Sequence, residues 1–121
     1  MTEIIKIKEQ FIELAFEDHL MNEIDLKQHL MQSSKKSWRL PTIFELEEIY
    51  RSNAKNSLSK KKKGWYWSSS TESSYDFVIM SDTLCLNFEN GERNYKNVPG
   101  GYYHLSIREA YLVLVRDVDP T

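Results

Sequence analysis

The apolar positions change period several times along the chain, and each change marks an element. Ile5 and Ile7 alternate with lysines, and Phe11 to Phe16 is rich in apolar residues, so residues 4–16 read as strand. The Glu and Ala content of Phe11 to Leu20 also admits a helix. Leu26 and Leu30 lie one helical turn apart behind the capping pair Asp25 and Gln28, which predicts a short helix from Leu26 to about Ser33. Ser33-Ser34-Lys35-Lys36 ends it.

The next block, Ser37-Trp38-Arg39-Leu40-Pro41-Thr42, leads into a second helix. Pro41 keeps Leu40 out of helical geometry, because its ring crowds the preceding residue. Thr42 then stands at the N-cap with Glu45 three positions on, a capping box. Ile43, Leu46, Ile49 and Tyr50 share one face of this helix, while Glu47, Glu48 and Arg51 take the other. Asn53 to Gly64 reads as a polar loop.

Beyond that loop the period is two. Trp65-Tyr66-Trp67 predicts a strand and Ser68 to Thr71 a turn. Phe77 to Met80 reads as a strand, and so does Leu84 to Glu89, where Leu84, Leu86 and Phe88 alternate with Cys85 and Asn87. Asn90-Gly91 between two glutamates is a strong hairpin signal. A loop at Val98-Pro99-Gly100-Gly101 precedes Ala110 to Val118, apolar on both faces like a central strand.

At 121 residues the chain is expected to form one domain, residues 1–121, around a single core. Its net charge of -2 does not suggest nucleic-acid binding by the molecule as a whole. The charge is uneven, however: residues 35–63 carry nine Lys or Arg against three acids, between two acidic flanks. With Cys85 as the one cysteine, no internal disulfide can form, which favours a reducing, cytoplasmic setting. The N-terminus lacks the apolar run and cleavage site of a signal peptide, and no stretch has the length of a membrane span.

Taken in order, SWRLPTIFELEEIY, GWYWSSST, CLNFENGE and YLVLVRDV resemble the Lcl C-terminal-like domain family, within the C-type-lectin-like fold. The likeness covers residues 11–118. It implies an α+β fold, with two short helices packed on a small, twisted, mainly antiparallel sheet and the first and last strands close together. It also implies that Trp38, Arg39, Leu40 and Trp67 are framework residues, joined by Pro41, Thr42 and Glu45 of the capping block. Arg39 would be a partly buried guanidinium bound to carbonyls or a carboxylate. Many members of the family are secreted and carry paired cysteines, which this chain does not.

The candidate chemistry is sparse. Sulfatase-activating relatives of the fold use two active-site cysteines, and a lone Cys85 cannot replace them. His19, His29 and His104 show no ligand spacing, and Ser68 to Ser70 lack a nucleophile-elbow pattern. The oxygen-rich loops of calcium-dependent lectins are absent. No enzyme activity, cofactor or metal is expected. Contact surfaces are the better candidates: the loop at Lys60, Lys61, Lys62 and Lys63, and the tyrosines Tyr95, Tyr102 and Tyr103 around Pro99-Gly100-Gly101. The leading expectation is therefore a cytoplasmic protein-binding accessory module for a larger protein partner, forming a homodimer in one version. Alternatives are a nucleic-acid role for the lysine loop, as in a complex with an antiviral nuclease such as a CRISPR effector, and calcium-independent binding of a glycan or small ligand through Trp65 or Tyr102.

Overall fold

The computed structural model describes residues 3–17, 19–33, 36–56, 63–73, 81–105 and 107–118. It is α+β, with two helices and small antiparallel sheets. The order is β1 (Glu3–Ile7), β2 (Gln10–Phe16), α1 (Glu23–Ser33), α2 (Ile43–Asn56), β3 (Trp65–Ser73), β4 (Ser81–Asn87), β5 (Tyr95–Val98), β6 (Gly101–His104) and β7 (Val113–Val118). One sheet runs β1-β2-β7; β3 pairs with β4, and β5 with β6. The predicted strand at Phe77 to Met80 lies outside the described residues.

Residues 4–16 are extended, as the alternation predicts, but as two strands rather than one. Lys8 and Glu9 form a tight turn between Ile7 and Gln10, with Lys8 at φ 56°. Lysine there gives no turn signal, which is why the break was not legible.

The helices both run longer than their patterns predict. α1 starts at Glu23 because Asn22, not Asp25, is its cap: the Asp25 N–H donates to Asn22 Oδ1 at 2.9 Å. α2 begins as predicted. The Glu45 N–H donates to Thr42 Oγ1 at 3.2 Å, and the Thr42 N–H donates to Glu45 Oε1 at 2.9 Å. It then continues through Asn53 to Asn56, where a loop was expected.

Three turns also differ from expectation. Ser68 to Thr71 stays within β3, and the pairing with β4 shifts register between Trp67 and Thr71. The serines serve that irregularity: Ser68 Oγ donates to the Leu84 carbonyl at 2.6 Å, and Ser70 Oγ accepts the otherwise orphan Ile43 N–H of α2 at 2.9 Å. At Asn90-Gly91 a wider loop replaces the two-residue hairpin. Phe88 turns into the core there, Asn87 N–H donates to the Glu92 carbonyl, and the returning chain makes a single bridge, Leu86 to Arg93. At Pro99-Gly100, in contrast, a tight turn joins two strands where a loop was expected. Proline at the first corner and Gly100 at φ 92° at the second suit a type II turn.

Alternate residues of the strands serve two apolar clusters. Ile12, Leu14, Val113, Val115, Leu84, Leu86, Phe88 and Tyr66 meet Ile43, Leu46 and Ile49 of α2. Their neighbours Leu112, Leu114, Cys85 and Trp67 meet Met21 and Leu26 at α1. The strands thus lie between the helices, and this explains why Ala110 to Val118 is apolar on both faces. β2 borders β7 on one side, and Arg39 pairs with Val115 through two backbone hydrogen bonds on the other.

Candidate functional site

Arg39 is the best-defined polar node. Backbone pairing with Val115 places it beside the N-terminus of α2, where its guanidinium grips both oxygens of Glu45 at 2.7 and 2.9 Å. It also donates to Asp117 of β7 at 3.1 Å. Burial pushes the Glu45 carboxyl up, but the Arg39 hydrogen bonds and the Thr42 N–H outweigh it and hold the group below the usual carboxylate range. Its bond to Glu45 raises the Arg39 pKa, against the opposing effect of burial. Both groups therefore stay ionised, and the node clamps a helix to a strand.

The neighbouring residues of the block, and Trp67, pack within the fold. Trp67 is fully buried and its Nε1–H donates to the Met21 carbonyl at 2.9 Å. Trp38 and Leu40 pack partly buried against the second cluster, and Arg116 lies over the Trp38 ring at 4.3 Å. The buried Pro41 accepts the Ser69 N–H on its carbonyl.

The predicted contact residues are described only in part. Lys60, Lys61 and Lys62 lie outside the described residues, and Lys63 is exposed just before β3. Tyr95 is half-buried against the first cluster. Tyr102 and Tyr103 stand on β6, in register with Asn97 and Lys96 of β5. Asn94 anchors this ribbon. Its Oδ1 accepts the Cys85 N–H at 2.8 Å, and its Nδ2 donates to the carbonyls of Thr83 and Leu105 at 3.2 and 3.1 Å.

Sequence reasoning missed a large concavity. A groove of about 670 Å³ runs between the β1–β2 turn and α2, lined by Ile7, Lys8, Gln10, Ile12, Phe44 and Glu48 among others. Phe44 is its most conspicuous wall, 68% exposed, with Arg93 5.4 Å from the ring centroid. Arg93 is held by Glu47 at 2.7 Å, and Glu48 pairs with Arg51. A signal for this was available: Phe44 lies one turn before Glu47 and Glu48, an aromatic on the polar face of α2.

Among the described residues Cys85 is shielded and His29 is paired, while His19 is exposed. Burial, with the nearby charge of Glu23, pushes the Cys85 thiol up to about 12, so it is neither a thiolate nucleophile nor a ready ligand at neutral pH. His29 faces Glu17 at 3.4 Å. Among the described residues no group of His, Cys, Asp and Glu is placed to hold a metal ion, and no helix is long and apolar enough to cross a membrane. Comparison of the chain with family models, with curated proteins and with solved structures finds no match in any of the three.

Proposed function

We propose that this chain is a non-enzymatic, cytoplasmic accessory module of C-type-lectin-like fold that binds a larger protein, with the groove at Phe44 as its contact surface. The carrying observation is an aromatic ring kept two-thirds exposed on a capped helix, beside an open concavity floored by Ile7 and Ile12. Aromatic anchors in pockets of this kind supply much of the energy in protein interfaces. The salt-bridged rim of Glu47, Arg93, Glu48 and Arg51 fixes the ring's neighbours and would give the contact polar edges. The lectin-like assignment draws support from the capped Trp38-Arg39-Leu40-Pro41 block, its pairing to the last strand, and the adjacency of β2 and β7.

The test is capture from native cytoplasm with the tagged protein, with and without nuclease, read by mass spectrometry. A larger protein retained after nuclease and lost with Phe44→Glu is the expected result. Retention by Phe44→Glu would overturn the groove as the surface. Loss on nuclease treatment would overturn the protein-binding reading in favour of nucleic acid held at the lysine loop.

A further inference from the structure

The β1–β2 hairpin has a two-residue turn, so its closing pair, Ile7 and Gln10, exchanges both backbone hydrogen bonds. Alternation then directs the N–H and C=O of Ile7, Ile5 and Glu3 towards β2. The same groups of Ile4 and Lys6 point the other way, off the edge of the β1-β2-β7 sheet. Among the described residues no strand or bridge pairs with that edge. Of the features that blunt an edge it carries one lysine, Lys6, and neither a proline nor a bulge; the ladder from Glu3 to Ile7 is regular. Ile4 is also 58% exposed, on the face that carries Lys6 and Phe11.

We infer that this edge pairs with the same edge of a second copy of the chain, antiparallel about a two-fold axis at Ile5, joining two three-stranded sheets into one of six strands. An identical edge supplies a matching set of groups, and the side chains select the register. With the axis at Ile5, Ile4 faces Lys6 of the second copy and Lys6 faces its Ile4. All four outward groups of each edge are then satisfied by an identical set. An axis at Ile4 would leave the Lys6 groups outside the pairing with these residues, and an axis at Lys6 would set two ammonium groups directly opposite each other. The Ile5 register instead lays each lysine stem over the exposed Ile4 of the other copy, leaving the charge in water. It also brings the two Ile5 side chains together, extending the apolar row of the first cluster across the junction. The pairing does not use Phe44 and stands apart from the groove reading.

Sedimentation equilibrium over a range of concentrations tests this. The expected mass rises from 14.4 kDa towards twice that value. Ile4→Lys, which opposes two lysines at each pair, should return the protein to monomer with its circular dichroism unchanged. Adding Lys6→Glu should restore the dimer, because each new lysine would then face a glutamate. A monomer at every concentration would overturn the inference. So would a dimer indifferent to Ile4→Lys, since the copies would then meet elsewhere. A dimer lost with Ile4→Lys and not recovered in the double variant would overturn the Ile5 register.

Discussion

Two polar side chains carry much of the specificity of this fold, for different reasons. Asn94 is almost wholly buried and uses its amide completely, as acceptor once and donor twice, to tie β4 to the base of the β5–β6 ribbon. Asn94→Ala strands one N–H and two carbonyls and is expected to cost about 3 kcal/mol in urea unfolding. Asn94→Asp keeps the acceptor but turns a carboxylate towards two carbonyls. Its loss should therefore be largest at neutral pH and partly recover in acid. Arg39 acts by charge. Because Glu45 is held below its ordinary pKa, its contribution is complete above the unfolded pKa and disappears as pH falls through the depressed folded value. Arg39→Met should lower stability by about 2 kcal/mol at neutral pH. The two denaturation curves should converge as the solution is made acidic. A gap independent of pH would mean that Arg39 matters through its packing alone.

At the scale of elements, the lesson concerns turns. The helix α2 was legible because its signals are local: a proline, a capping threonine and a glutamate three positions on. The β1–β2 turn was not, because Lys8 holds a left-handed backbone that lysine disfavours, and only pairing of the flanking strands accounts for it. Lys8→Gly is accordingly expected to raise stability by about 0.5–1 kcal/mol, seen as a higher thermal midpoint. A drop would show that backbone entropy lost on folding exceeds the relieved strain. Gly91 is the converse case. It adopts φ 78°, and a β-carbon there would come within 2.8 Å of Tyr50 Cε2, so the glycine answers to a ring on α2 and not only to a hairpin. Ser68 and Ser70 misled for a related reason. Ser68 does serve the local backbone, accepting the Ser70 N–H on its hydroxyl at 3.1 Å, but the two hydroxyls also reach a neighbouring strand and a helix N-terminus, and the segment stays within β3.

For the whole molecule, alternation identified most of the core and disclosed less of the site. Leu84, Leu86 and Phe88 opposite Cys85 predicted two faces; that both are buried became clear only with a helix on each side of the strands. The candidate surface was harder to read. Phe44 belongs to the polar face of α2, and the groove it borders is completed by a hairpin some thirty-five residues earlier in the chain. Spacing within a motif cannot show such a juxtaposition. The tyrosines drew attention through composition, yet Tyr95 is partly taken up by the core while Tyr102 and Tyr103 sit on a ribbon.

The pairing of β2 with β7 reaches across nearly the full chain: Arg116 bonds Glu13 from 103 positions away. During synthesis, β2 leaves the ribosome long before its partner strand exists. Ile12 and Leu14 must wait, uncovered on the side of Val113 and Val115, until the last strand clears the exit tunnel. Completion of the first cluster therefore follows translation of β7 and includes the closure of a long loop, an entropic cost that neither helix carries.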